Sequence, residues 1–199
     1  MLLERGNPEL QDRVEILRFD SRTVLVVADG AGGISGGAQA ADFFVRSVRD
    51  VAAELTNAED CGQLLLALDQ KIAEATDCGE TTGIVVVVRS DGLFGANVGD
   101  SAAWLFTTEA KQELTGGRPR KPFLGTAATS PHQFVRTSSQ GMIVVATDGL
   151  WKYTSLELIE QRVMTGNPRN LAEELADLVR LNSGAFPDDI AIVTCRITI

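Results

Sequence analysis

Histidine is nearly missing from this chain: His132 is the single one among 199 residues. The three cysteines, Cys61, Cys78 and Cys195, are odd in number, widely spaced and free of any Cys-x-x-Cys pair. These shortages argue against a zinc cluster and against a disulfide framework, and Cys61 and Cys195 read as small core residues. No Ser-His-Asp or Cys-His set is at hand for nucleophilic catalysis. Positive charge is scarce, with 18 lysines and arginines against 27 aspartates and glutamates and a formal net charge of -9. That balance argues against nucleic acid as a partner, because phosphate backbones bind basic patches. It fits a protein that concentrates cations in an acidic cleft. No apolar run approaches the length of a membrane span. Met1-Leu2-Leu3 meets Glu4 and Arg5 at once, unlike a signal peptide. The expectation is a reduced, cytoplasmic protein. Its length and its 44% hydrophobic, 23% charged composition suit one globular domain, residues 1–199, with a sizeable core.

What the chain has is a set of apolar strands with aspartates at their ends. Val24 to Gly33 runs VLVVADGAGG, a β-branched stretch that reads as a buried strand and delivers Asp29 at its mouth. A lone Asp-Gly is a hairpin signal, but the pattern recurs. Met142 to Gly149 reads MIVVATDG, Ala96 to Asp100 reads ANVGD, and in Pro187 to Thr194 (PDDIAIVT) two aspartates open the strand. Strands ending in carboxylates point to a multi-carboxylate site, since hard divalent cations take carboxylate and water oxygens as ligands.

The rest of the chain frames those strands. Gln11 to Phe19 alternates apolar and polar residues and should pair with the Asp29 strand as a hairpin, bringing Asp12 beside Asp29. Ala38 to Leu55 repeats apolar residues at helical spacing, and a second helix, Gln63 to Thr76, follows with Asp60 as its N-cap. Thr81 to Arg89 reads as a central strand, and Leu93–Val98, Ala102–Phe106 and Phe134–Ser138 as further ones. The loop from Gly116 to Thr129 is basic; it either contacts an anionic substrate or is a solvated edge. Thr154 and Glu157, in T-x-x-E spacing, open another helix. Asn170 caps a last helix through Leu181. Met1 to Pro8 reads as irregular. Antiparallel strands interrupted by helix pairs suggest an α+β layered domain, strands stacked as a sandwich with helices outside.

These elements resemble, in order, those of the metal-dependent protein phosphatases of the protein phosphatase 2C type. The family's DGxGG element reads DGAGG at Asp29 to Gly33, and its Gly-Thr-Thr-type element looks like Glu80-Thr81-Thr82. Val98 to Ser101 matches V-G-D-S, Thr147 to Trp151 matches S/T-D-G-L-W, and Asp188-Asp189-Ile190-Ala191 resembles D-N-x-[ST]. The resemblance runs from about Gln11 to the C-terminus. It implies a four-layer α-β-β-α sandwich, two mostly antiparallel sheets flanked by helix pairs, with two Mn2+ or Mg2+ ions at one end. By resemblance, Asp29 bridges both ions, the Gly30 carbonyl binds one, and Asp148 and Asp188 complete a site. Asp12 stands where the family's N-terminal acidic pair ends. Asp100 helps hold a weaker third ion in members that have one. The implied activity is hydrolysis of phosphoserine and phosphothreonine by metal-activated water, with Asp29, Asp148 and Asp188 as catalytic residues. The implied partner is a phosphoprotein substrate, and with it an opposing serine/threonine kinase.

The match departs in places. Ala31 stands where many eukaryotic members have a histidine implicated as a general acid. The acidic pair reads Gln11-Asp12. The family's phosphate-gripping arginine falls at Asn7, which leaves Arg5, slightly upstream, as the candidate. Arg13 should point to the other face of its strand. The second carboxylate of Asp188-Asp189 either ligates or sits behind the ligands. His132 reads as a surface residue, Trp104 and Trp151 as packing residues, and Thr81 and Thr82 as residues serving the sheet. A regulatory module of the same fold that has lost turnover, and a small-molecule phosphomonoesterase, remain as alternative functions.

Overall fold

The computed structural model describes residues 1–31, 36–117, 119–137 and 140–197. Gly32 and Gly33, the end of the glycine-rich element, lie outside the described residues. In chain order the strands are β1 (Leu2–Glu4), β2 (Arg13–Phe19), β3 (Arg22–Ala28), β4 (Gly30–Ala31), β5 (Glu80–Thr81), β6 (Gly83–Arg89), β7 (Gly92–Val98), β8 (Ala102–Phe106), β9 (Lys111–Glu113), β10 (His132–Thr137), β11 (Gly141–Ala146) and β12 (Ile190–Ile197). The helices are α1 (Gly37–Val51), α2 (Ala58–Glu74), α3 (Asp148–Trp151), α4 (Leu156–Thr165) and α5 (Leu171–Ala176).

Side-chain alternation along the strands decides the layering. In β3, Val24, Val26 and Ala28 pack with Phe44 and Val48 of α1 and Leu65 and Ile72 of α2. The intervening Leu25 and Val27 pack instead with Ile143, Val145, Ala191 and Val193 of the opposite sheet. On that second sheet the odd-and-even rule repeats. Val144, Ala146, Ile190 and Ile192 turn outward to Ile159, Leu171 and Leu175 of the second helix pair. The strand orders are β10-β7-β6-β3-β2 and β1-β12-β11-β8-β9, every pairing antiparallel, with β4-β5 as a small third pair. The expected α-β-β-α architecture is what the chain adopts. Each fully buried Val, Leu or Ile contributes roughly 1.5–3 kcal/mol, against about 0–1 kcal/mol for a surface ion pair. The three apolar interfaces therefore hold the layers together.

Several boundaries differ from expectation for local reasons. Residues 2–4 are not irregular: β1 pairs with β12, Leu3 opposite Ala191. Asp60 is not the N-cap of α2. Asn57 caps it, and Asp60 answers as the third helical residue of a reciprocal capping box. At α4 the cap is Ser155, whose side chain accepts from the Leu158 amide, in place of Thr154. The last helix ends at Ala176, and Asn170 makes no side-chain cap. The polar stretch after β8 supplies the edge strand β9, held to α4 by a Lys111–Glu160 ion pair. The cysteines are all free: Cys61 is buried in the helix-facing core, while Cys195 is only half-buried and packs against the inter-sheet core. His132 is a half-buried strand residue whose Nε2 lies 3.2 Å from the Leu114 carbonyl oxygen.

Candidate active site

The β2–β3 hairpin pairs Arg13 with Ala28, so Asp12 just before β2 and Asp29 just after β3 meet at one end of the sandwich. Asp148 leaves β11 at the same end, Asp188 precedes β12, and Asp100 sits in the turn between β7 and β8. All of them line one open cleft of about 620 Å3. Its described wall carries six aspartates and Glu9 against two lysines, Lys121 and Lys152, and no cysteine or histidine. Ala31 lies on this wall.

Carboxylate oxygens of Asp29, Asp100 and Asp148 lie within 4.8 Å of one another. At about 4 Å two unit charges repel by about 4 kcal/mol at an effective dielectric of about 20. Carboxylates this close favour a cation between them. Burial acts on three of the cleft carboxyls, and neighbouring charge adds to it. Burial pushes Asp12 up to about 7, with Asp189 adding to the rise and the Thr147 hydrogen bond opposing it. Burial, then the charges of Asp12, Asp148 and Asp100, hold Asp29 well above the usual carboxylate range. Burial raises Asp148 too, against the pull of Lys152. Lys152 Nζ stands 2.5 Å from Asp148 Oδ2, a cation already drawn to the cluster. An all-oxygen, strongly anionic donor set fits Mg2+ or Mn2+.

Behind the carboxylates lies a positioning layer that the sequence reasoning missed. Thr82 Oγ1 accepts from the Asp29 amide at 2.9 Å, and Thr81 Oγ1 donates to the Asp29 carbonyl at 2.9 Å. These threonines thus fix Asp29 as well as serving the sheet. The Thr147 hydroxyl donates to Asp12 Oδ2 at 2.7 Å and accepts from the Ala191 amide at 2.9 Å. Asp189 is buried, and its carboxylate accepts from the amides of Gly6, Asn7 and Gln11. It clips the N-terminal loop, while Asp188 faces the cleft and accepts from Asn7 Nδ2 at 2.7 Å. A Cβ on Gly149 would collide with the Asp189 carbonyl, and one on Gly30 with the start of α1. Close backbone packing requires both glycines.

Arg5 is not brought to the cleft. It is exposed and donates to the Pro8 carbonyl at 3.1 Å. Arg13 turns to the helix side, as expected, and pairs with Asp42 of α1 at 2.5 Å. The basic loop does reach the cleft, through Lys121 and Phe123. The hydroxyl next to Asp148 in T-D-G was the available signal for Thr147. Lys152 had none, because the motif ends at Trp151 and only the single turn of α3 carries residue 152 back over residue 148.

A family model described as Protein phosphatase 2C matches residues 3–180. No curated protein matches the chain. Among solved structures, the serine/threonine phosphatase Stp1 from Staphylococcus aureus superposes with a TM-score of 0.83 at 18% identity, covering 100% of this chain and 93% of that one. The catalytic domain of the serine/threonine protein phosphatase PstP, in complex with two manganese ions, gives 0.80 at 18%, covering 98% and 96%. RsbX in complex with magnesium gives 0.77 at 15%, covering 99% and 92%. At these identities the structures speak for the fold alone. The family model spans most of the chain, and on that ground this protein belongs to the protein phosphatase 2C family of phosphoprotein phosphatases.

Proposed function

We propose that the protein hydrolyses phosphoserine and phosphothreonine in phosphoproteins, using two Mn2+ or Mg2+ ions held by the carboxylate cluster. The observation that carries this reading is the convergence of Asp29, Asp100 and Asp148 within 4.8 Å in an open acidic cleft. Asp29, the Gly30 carbonyl, Asp148 and Asp188 would hold the pair, with Asp12 behind Asp29 and Asp100 toward a weaker third ion. Bound divalent ions supply a water of lowered pKa and neutralise charge in an in-line displacement at phosphorus.

The chain supplies the rest. Thr81 and Thr82 fix the backbone that carries Asp29, and Thr147 fixes Asp12. Lys121 and Lys152 are the cations on the described wall that can hold a substrate phosphate. Arg5 would join them only by releasing Pro8. Ala31 has no titratable group, so the leaving serine or threonine oxygen takes its proton from water in the cleft. The ions in PstP and RsbX support the choice of metal. A phosphoprotein substrate implies a serine/threonine kinase acting in the opposite direction.

The test compares phosphoserine, phosphothreonine and phosphotyrosine peptides with p-nitrophenyl phosphate, under Mn2+, for wild type and Asp29→Asn. Phosphoserine and phosphothreonine peptides should be the best substrates, and the variant should lose activity by about 100-fold or more, the scale of removing a principal electrostatic stabiliser. Turnover of the small ester alone would indicate a small-molecule phosphomonoesterase. Full activity in Asp29→Asn would refute the mechanism.

A further inference from the structure

We propose that a second cavity beside the carboxylate cluster is a substrate subsite that takes a carboxylate side chain. It would select phosphoproteins with an aspartate or glutamate near the phosphorylated residue. The proposal rests on the phosphatase reading and deepens it. The cavity measures about 240 Å3, room for one side chain, and shares Asp100 with the catalytic cleft. Ala102, Trp104, Glu113, Arg120, Trp151 and Leu156 form its other walls.

The Arg120 guanidinium is the group that selects the ligand. The indole Nε1 atoms of Trp104 and Trp151 are both buried and neither has a hydrogen-bond partner. Neither N–H is open to the cavity, so both rings serve as its aromatic walls. Rigid elements hold both rings: Trp104 sits on β8 opposite Glu113 of β9, and Trp151 closes α3, whose first residue is Asp148. The Arg120 guanidinium stacks on Trp151, 4.8 Å from the ring centroid. It is exposed and forms no ion pair among the described residues. Stacking leaves the N–H edge of a guanidinium open, and that edge is shaped for a carboxylate. The Asp100 carboxylate belongs to the cluster with Asp29 and Asp148. Among the described lining residues, the charges left to meet a ligand are Arg120 and the exposed Glu113. One guanidinium opposed by one carboxylate accepts a monoanion better than a second phosphate group.

The chain has two tryptophans, Trp104 and Trp151, and both line this cavity, so intrinsic fluorescence reports its occupancy. The experiment uses the Mn2+-loaded full chain and phosphoserine peptides identical except for Glu, Gln or Lys scanned through the flanking positions. In one register the Glu peptide should exceed the Lys peptide about tenfold in kcat/KM, the size of one charge-assisted hydrogen bond. Arg120→Ala should level the two without changing hydrolysis of p-nitrophenyl phosphate, which has no side chain to fill the cavity. Glu113→Gln should widen the preference. Equal rates for all peptides in wild type, or an acidic preference that survives Arg120→Ala, would overturn the subsite and leave the phosphatase reading standing. If wild type hydrolyses neither peptide nor small ester, the phosphatase reading fails, and fluorescence titration with the unphosphorylated Glu peptide decides the subsite. Quenching lost in Arg120→Ala supports it, and no quenching in wild type overturns it.

Discussion

The Thr147 hydroxyl ties a buried carboxylate to a neighbouring strand, since it serves Asp12 and the Ala191 amide at once. Thr147→Val keeps the shape and strands both partners. It should lose about 1–3 kcal/mol of stability, seen as a lower Tm, while Thr147→Ser should retain most of it. A Val variant that melts with wild type would show that the hydroxyl does not position Asp12. Lys152 makes a second test. In metal-stripped protein it neutralises Asp148, so Lys152→Met should melt lower than wild type. It should then gain more from saturating Mn2+, because no side-chain cation competes for the cluster. A smaller Mn2+-induced rise would contradict that competition. Strand-end aspartates were legible because β-periodicity places them; the hydroxyls and Lys152 were not, because their roles exist only after strands distant in sequence have met.

A single helical residue secures the substrate-side loop. Asp69 of α2 is buried, yet it accepts hydrogen bonds from the amides of Gly125, Thr126, Ala127 and Thr129 and from the Thr129 hydroxyl. The bridge between Thr81 and Leu124 fastens the same loop to the sheet. Through it Lys121 reaches the cleft and Arg120 the second cavity. Burial would raise the Asp69 carboxyl, but the bonds from Thr129, Gly125 and Ala127 outweigh it and hold the group below its usual range. A depressed carboxylate contributes stability that is present above its unfolded value, about 3.9, and is lost as pH falls through the lower folded value. Asp69→Ala should therefore lower the protection of the amides of residues 125, 127 and 129 at neutral pH, and wild-type protection, taken relative to the intrinsic rate at each pH, should fall toward that of the variant in acid. Unchanged exchange in Asp69→Ala would show that the loop is held elsewhere. The hairpin of β2 and β3, the helix pairs and the central β6 follow from local periodicity. β1 does not: three residues are too few to show a period, and its pairing comes from β12 at the far end of the chain.

Over the whole molecule, two antiparallel sheets form a rigid frame that forces like charges together at one end, and the net charge of -9 does nothing to relieve them. Asp12, Asp29 and Asp148 are all raised in the folded state. The folded protein therefore binds protons that the unfolded chain has released. Metal-stripped protein should lose stability as pH rises from about 4, the unfolded carboxylate value, to about 7, the folded value for Asp12. Bound Mn2+ requires the ionised groups, so its added stability should grow across that window. Melting curves with chelator and with Mn2+ at pH 5 and pH 7 check both signs, and a stripped protein that gains stability toward pH 7 would contradict them. The fold was legible as a whole because its strands alternate so regularly; the shape of the substrate-side surface was not, because it depends on where one loop docks. On the proposed reading, phosphoester hydrolysis requires a carboxylate cluster loaded with divalent ions. Its most direct test is hydrolysis of a phosphothreonine peptide by metal-stripped protein as Mn2+ is titrated back, beside Asp148→Asn. Activity should appear only with metal, saturate, and vanish in the variant. Activity without metal, or activity undiminished in Asp148→Asn, would contradict it.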